Sequence, residues 1–534
     1  MKRKKLPIGL STFREIREEG HYYVDKTTYA LQLIEQGKYY FLSRPRRFGK
    51  SLFLDTLAEL FQANRTLFQG LEADPHWDWS TPYPVIRLSF GGGVMRDREE
   101  LDAKMRDLLR INQRSLALRS PTELDIPACF GELIRAAEET YGQRVVILVD
   151  EYDKPILDNL SEPDLARQMR EGLRNLYSVI KDHDRFIRFV FITGVSKFSK
   201  VSLFSGLNNL QDITIDQRYS ALCGYTEDDL DAVFAPELEG LDRQQIKDWY
   251  NGYNWTGEAV YNPFDLLLLF DSRLFRSYWF ETGTPTFLVE LLTRRGTFSP
   301  SLETMSGDED LLSAFDVDHI ATEALLWQTG YLTLRGQRQT GARIEYQLAY
   351  PNLEVRSALN NSLTKALMGD LSQASRALGR LYDSLMSGDL DQLRQHFVSL
   401  YASIPHDWFR NNPITQYEGY WASVFYSHFA ALGLDLRLED ATNHGRLDMA
   451  LLFNQQVYLF EFKVVELVPE GRALEQLKAK NYAEKYQALN QPIHLIGVEF
   501  SKQERNLVGF EVSSADSASN RSSPTEVIRP RTAP

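Results

Sequence analysis

Short apolar runs and stretches of 3.6-residue periodicity alternate along the first 230 or so residues. Tyr39–Ser43, Pro84–Phe90, Val145–Asp150 and Phe186–Thr193 read as strands, and amphipathic stretches between them read as helices. Strands joined by crossover helices build a parallel sheet covered on both faces, so this part is predicted to be α/β. Tyr225–Leu367 reads as mostly helical, with Tyr331–Leu334 and Tyr346–Leu348 as short strands. A hairpin following helices there is winged-helix-like in pattern. Helical periodicity resumes over Gly379–Leu400. Leu447–Val465 then reads as two apolar strands, Ala473–Leu489 as a helix and Ile493–Phe500 as a strand, which predicts a second α/β domain. Beyond Ser513 the chain is Ser, Pro, Asn and Arg with almost no apolar residue, so a disordered tail is expected. The divisions expected are residues 1–220, 221–370, 371–513 with a helical lead-in, and the tail 514–534.

Composition narrows the class. A chain of 534 residues is too long for one core, and 43% hydrophobic with 25% charged residues is ordinary for soluble domains. No apolar run approaches the ~20 residues a membrane span needs. The basic start Met1-Lys2-Arg3-Lys4-Lys5 leads into no apolar run, so neither a secretory signal nor a membrane partner is expected. Cys129 and Cys223 have neither zinc nor disulfide spacing. A cytoplasmic protein follows. The formal net charge of −13 argues against non-specific coating of nucleic acid, yet allows a locally basic groove.

The first strand runs into Arg44-Pro45-Arg46-Arg47-Phe48-Gly49-Lys50-Ser51, and an amphipathic helix follows. A phosphate-binding loop needs N–H groups aimed at phosphates, a lysine for the β/γ-phosphates and a hydroxyl for Mg²⁺. Gly49, Lys50 and Ser51 supply these at a helix start, where the dipole favours an anion. Arg47 and Phe48 lead into them and are expected beside the nucleotide. Arg44 stands where the pattern has its first glycine. Downstream, the apolar strand Val145–Val149 ends in Asp150 and Glu151, at the crevice end of a parallel sheet. Asp150 would hold Mg²⁺ through water or Ser51, and Glu151 would polarise the attacking water. Either motif alone suits an ordinary strand end; the two in this order point to ATP. A third strand ends in Thr193 and Ser196, which would sense the γ-phosphate or else form a plain strand-end turn. Arg44, Arg46 and Arg47 would stabilise phosphate charge, or equally form a solvated face.

A second constellation lies in Gly445–Phe453, Asn454-Gln455 and Gln456–Lys463. If the hairpin turns on Asn454 and Gln455, Phe453 faces Gln456, and counting outward places Asp448 opposite Glu461. Lys463 shares their face, because side chains on a strand repeat every second residue. Carboxylates converging in an apolar sheet are costly unless paired or bound to metal. A divalent cation held by Asp448 and Glu461 would offset their repulsion and activate water, and Lys463 would position that water or stabilise the transition state. The same residues also fit a Glu461–Lys463 ion pair at a strand end.

Two resemblances join these readings. Ser43–Ser51, Val149-Asp-Glu-Tyr-Asp-Lys-Pro155 and Ile192–Ser199, with Leu6–Gly9 and Tyr22–Thr27, resemble the AAA-ATPase-like family of bacteria and some archaea. That implies an AAA/STAND-like P-loop ATPase core over about residues 6–220, in which the Arg44 form of the loop is usual. Asp448, Glu461-Phe-Lys463 and the helix carrying Gln476 resemble the PD-(D/E)xK nuclease superfamily. This implies Asp448 and Glu461 as metal ligands, Lys463 as the catalytic lysine, Gln476 assisting, and Glu418 as an additional acid. The function expected is an ATPase coupled to a Mg²⁺-dependent nuclease acting on DNA or RNA, with homo-oligomerisation left open. The alternative is a nucleotide-dependent switch whose C-terminal domain binds nucleic acid without cutting it. The segment Trp249–Trp255 is read as a packed aromatic corner rather than a base-stacking surface.

Overall fold

The computed structural model describes residues 3–118, 125–197, 209–283, 288–289, 291–292, 295, 299–313, 315–316, 319–368, 371–403, 418–442 and 445–515. Of the tail expected over 514–534, residues 516–534 lie outside these. The chain divides into two compact units, one of Met1–Gly283 with Thr304–Asn352 and one of Thr284–Glu303 with Leu353–Pro534. The region 221–370 is shared between them: its larger part belongs with the phosphate-loop sheet, and Thr284–Glu303 and the residues from Leu353 onward belong to the second unit.

In the first unit β1 (Tyr39–Ser43), β2 (Val85–Ser89), β3 (Val145–Asp150), β4 (Ile187–Gly194) and β5 (Gln211–Asp212) form one sheet in the order β2-β3-β4-β1-β5. Every pairing is parallel. Parallel strands covered by helices on both faces need apolar side chains throughout, and β1, β3 and β4 are buried almost end to end. At the edge, β2 exposes Arg87 and Ser89. β4 lies between β1 and β3, so the lysine loop and the acidic strand end are one strand apart on the same edge. β5 escaped the sequence reading because its two residues are polar. The same unit carries β6 (Ser306–Asp308), the ribbon β7 (Phe315–Asp316) and β8 (His319–Ile320), and the hairpin β9 (Thr333–Thr340) and β10 (Arg343–Ala349). The hairpin directly follows the helix Thr322–Thr329, as the winged-helix-like pattern has it, and β6 completes a three-stranded sheet.

In the second unit β11 (Asp435–Thr442), β12 (Gly445–Phe453), β13 (Gln456–Val465), β14 (Ile493–Ser501) and β15 (Asn506–Ser514) form a mixed sheet in chain order. Only β13 and β14 run parallel. Tyr458, Phe460, Phe462 and Val498 pack into a core with the helices Leu390–Ala402 and Glu418–Ala431. Val457, Leu459 and Leu495, on the opposite face, pack against Leu474, Leu477 and Tyr486. The helix expected over Ala473–Leu489 breaks at Asn481, whose φ of 45° is left-handed, into the helix Arg472–Ala479 and a 3-10 segment Tyr482–Leu489. The edge strands β11 and β15 alternate polar with apolar residues, which hid them among loop signals.

Candidate active sites

β1 delivers the chain into Arg44–Gly49, and the helix Lys50–Phe61 starts directly after it. Gly49 has φ 93°, a conformation that favours glycine, and it leaves the helix N-terminus open to an anion. A cavity of about 570 Å³ opens here, lined by Arg46–Ser51, with Glu151 and Lys154 at one side and Phe264 and Leu267 at another. Lys50 is buried, and its ammonium donates to the carbonyls of Arg44 and Pro45, each at 2.8 Å. Burial draws its pKa down, opposed chiefly by Asp150. Asp150 Oδ1 accepts the Glu151 N–H at 3.0 Å. Glu151 itself sits at φ 50°, an uncommon conformation for a side chain of its size. Burial and the neighbouring Asp150 hold its pKa above the usual carboxylate value, with Lys50 pulling the other way.

Three residues differ from expectation. Thr193 is completely buried, and its hydroxyl donates to Leu42 O at 2.9 Å, linking β4 to β1; it does not line the cavity. Ser196 donates from its hydroxyl to Asp153 Oδ2 at 2.6 Å, and its N–H does the same at 2.6 Å. Both hydroxyls donate to the scaffold in this structure. Arg44 belongs to no solvated face: it is buried among backbone carbonyls. Sequence reasoning also missed Asp153, which holds the Val195 and Ser196 N–H groups at the end of β4. Its signal was a second aspartate three residues after Asp150. Trp255 and Tyr253 pack edge-on to Phe48, in keeping with the packed-corner reading of that segment.

In the second unit the hairpin turns on Asn454 and Gln455, both left-handed, with Phe453 opposite Gln456. The pairs continue to Met449↔Phe460. One step further Asp448 turns its Oδ2 onto the Phe462 N–H, 2.9 Å away. Glu461 is 1% exposed; its Oε1 accepts from Lys463 Nζ at 3.2 Å and from Gln476 Nε2. Gln476 reaches it because Gly497, the β14 partner of Glu461, lets the helix Arg472–Ala479 settle onto the sheet. Glu499 Oε2 on the same strand accepts the N–H groups of Glu470 at 2.5 Å and Gly471 at 3.1 Å, fixing that helix's start. Tyr482 borders the same group, with Gln476 its hydrogen-bond partner. Asp448, Glu461, Lys463 and Gln476 are thus brought together. Glu418 opens the helix Glu418–Ala431, and its side chain lies outside the described residues.

The arrangement fits a divalent cation. Glu461 Oε2 is buried and, among the described residues, has no hydrogen-bond partner; it lies beside the Asp448 carboxylate. Burial first, then Asp448, raises the Glu461 pKa to about 7, with Lys463 opposing. Among the described residues no cluster of three His, Cys, Asp or Glu side chains is placed to hold a metal. Asp448 and Glu461 would therefore share an ion with backbone oxygen, water or a substrate phosphate.

Fold and sites together define a P-loop α/β unit joined to a restriction-endonuclease-like α/β unit. Residues 7–204 match the family described as "Predicted AAA-ATPase", and residues 416–510 match the PD-(D/E)XK nuclease superfamily. A relative from Azotobacter chroococcum mcd 1, described as "Uncharacterized protein in vnfD 5'region", is 64% identical over 515 residues, covering 96% of this chain and 100% of the relative. The chain belongs to the AAA-ATPase-like family and carries a PD-(D/E)XK nuclease superfamily domain at its C-terminal end. Among the described residues no helix is long and apolar enough to cross a membrane.

Proposed function

We propose that this chain hydrolyses ATP at the Lys50 loop and cleaves a phosphodiester of DNA or RNA at the Asp448–Glu461–Lys463 cluster. The observation that carries the nuclease half is the buried Glu461 Oε2, unpartnered among the described residues, next to a second carboxylate and a lysine. At the first site the N–H groups from Gly49 onward cradle the phosphates, and Lys50 adds a cation at the β/γ position. Ser51 and Asp150 would hold Mg²⁺, which supplies charge neutralisation on the phosphates. Glu151, with its pKa raised by burial, takes the proton of the attacking water.

At the second site Asp448 and Glu461 would hold the divalent ion, which supplies Lewis-acid activation of water and of the scissile phosphate. Lys463, 27% exposed at its side chain, orients the nucleophile and offers a proton to the developing phosphorane charge. Gln476 fixes the Glu461 carboxylate from the helix side. The nucleotide cycle would license the cleavage.

The deciding experiment is cleavage of single- and double-stranded DNA and RNA with Mg²⁺ or Mn²⁺, with and without ATP. Wild type runs beside Lys463→Ala, Lys50→Ala and Glu151→Gln. Cleavage lost in Lys463→Ala, and responsive to ATP only with Lys50 intact, supports a nucleotide-coupled nuclease. Intact ATP turnover with no cleavage of any substrate moves the reading to a switch that binds nucleic acid without cutting it.

A further inference from the structure

Arg44 stands in the place of the phosphate loop's first glycine, and it is completely buried. Its Nη1 donates to Ser43 O at 2.8 Å and Thr214 O at 2.9 Å, and its Nη2 donates to Tyr219 O at 3.1 Å. The guanidinium carbon lies 4.0 Å above the centre of the Trp255 ring. Among the described residues its side-chain hydrogen-bond partners are all backbone carbonyls, and its Nε is buried without one. Burial lowers its pKa to about 10, which leaves it charged at neutral pH. A buried cation is costly unless carbonyl dipoles or a π face compensate, and here both do.

The residues after Arg44 meet the same wall. Pro45 lies so close to Gly330 that a methyl group added there would be 2.6 Å from Pro45 Cγ. Arg46 O accepts from Trp279 Nε1 at 3.0 Å, and Arg47 lies 4.8 Å over the Phe264 ring. Phe48 packs edge-on against Tyr253 and Trp255, at 4.7 and 5.6 Å. Five consecutive loop residues are therefore held by residues of the same unit that lie between Thr214 and Trp279, and by Gly330. On the loop's other side, Lys50 donates to the carbonyls of Arg44 and Pro45. Arg44 is thus tied three ways: its side chain to Thr214, Tyr219 and Trp255, its N–H to Gly194 O at 3.2 Å, and its carbonyl to the phosphate-binding lysine.

We propose that Arg44 is a positioning residue for ATP turnover, which holds its own carbonyl in place so that Lys50 is presented correctly at the phosphate end of the cavity. The proposal rests on the ATP-hydrolysing reading above. A glycine at this position leaves the guanidinium's place empty and removes the side-chain hold on the Arg44 carbonyl, while the Arg44 N–H to Gly194 O, the contacts of Pro45 to Phe48 and the N–H groups at the helix start remain. Binding should change little and turnover much. A lysine cannot replace the planar fork that reaches three carbonyls while stacking on an indole.

The test measures steady-state phosphate release from Mg-ATP and calorimetric Mg-ADP binding on the full chain, for wild type, Arg44→Gly, Arg44→Lys, Trp255→Phe and Trp255→Ala. Misplacing a catalytic group by about 1 Å costs on the order of 100-fold, so Arg44→Gly and Arg44→Lys are expected to lose about that in kcat. Mg-ADP affinity should stay within about threefold, a split that a purely structural role would not produce. Trp255→Phe keeps an aromatic face and should retain turnover, whereas Trp255→Ala should lose it. Arg44→Gly with Trp255→Ala should lose less than the sum of the two single losses, because the two side chains share the cation–π contact. If Arg44→Gly does not fold, Arg44→Lys decides by the same measure. Turnover in both Arg44 variants within about threefold of wild type, per binding-competent molecule, overturns the proposal. A wild-type chain that neither binds nor turns over ATP overturns the ATPase reading and this proposal with it; an active wild type beside equally active variants overturns the proposal alone.

Discussion

Lys463 Nζ lies 3.2 Å from Glu461 Oε1, yet the acid is buried while the amine reaches solvent. The ion pair does not repay the burial, and the Glu461 pKa rises to about 7, with burial and Asp448 as the causes. A folded-state pKa above the unfolded value means the folded chain holds more protons between about pH 4.5 and 7. Stability therefore falls as pH rises through that window and stays low above it. In chelator, Glu461→Gln should be more stable than wild type at pH 8, by about 3 kcal/mol at most, with little difference at pH 4. The same variant should lose cleavage. Equal urea midpoints for the two chains at pH 8 would contradict the assignment.

How far the sequence could be read depended on the range of the contacts. β1, β3 and the Asn454–Gln455 turn are local patterns, and each lies where its residues predicted. Asp448 and Glu461 could be paired on paper because a two-residue turn dictates everything counted outward from it. Arg44 could not be read this way. Its partners Thr214, Tyr219 and Trp255 are 170 or more residues distant, and nothing local says that an arginine would be buried on carbonyls. The Thr193 hydrogen bond was illegible for a related reason: a strand-end hydroxyl looks free until the neighbouring strand's Leu42 carbonyl is known. Gly497 and Glu499 carry no motif, yet they decide where Gln476 lies.

Gly497 is where the helix Arg472–Ala479 touches the sheet. A Cβ there would lie 2.4 Å from the Leu474 backbone N, and backbone cannot swing aside as a side chain can. Gly497→Ala should lift the helix, cost about 1–3 kcal/mol and draw Gln476 away from Glu461. Cleavage should fall at least as far as in Gln476→Ala, while ATP turnover, which depends on the first unit, should persist. Gly497→Ala with wild-type cleavage would separate Gln476 from the chemistry.

His396 and His428 face each other from two helices of the second unit, ring centres 5.0 Å apart and both buried. Burial, with Arg380 adding repulsion, lowers the His396 pKa to about 4; burial and His396 hold His428 well below its usual value. The unfolded chain then binds more protons below pH ~6.5, so this pair removes stability as pH falls from there towards 4. For His396 alone the loss is about 2 kcal/mol at pH 5. It opposes the Glu461 effect, which favours acid. Removing one histidine relieves part of this loss: in chelator, His396→Leu should lose about 2 kcal/mol less stability than wild type between pH 7.5 and pH 5. An unchanged pH profile in urea unfolding would show that the pair is not neutral in the fold.

The hairpin turn carries the last test. Asn454 and Gln455 have φ of 48° and 57°, which a two-residue type I′ turn requires. Asparagine tolerates this region, but glutamine gains nothing there, and its Cβ crowds the following carbonyl. Gln455→Gly should therefore raise stability by about 0.5–1 kcal/mol, after the added freedom of glycine in the unfolded chain is counted. Cleavage should be unchanged, since Phe453 still faces Gln456. Inserting one glycine between Asn454 and Gln455 makes the opposite prediction. The turn lengthens by one residue, the register shifts, and side chains that shared a face with Glu461 move off it. Cleavage should vanish while ATP turnover continues. A chain that still cuts with the insertion would mean that Asp448 and Glu461 do not act as a pair.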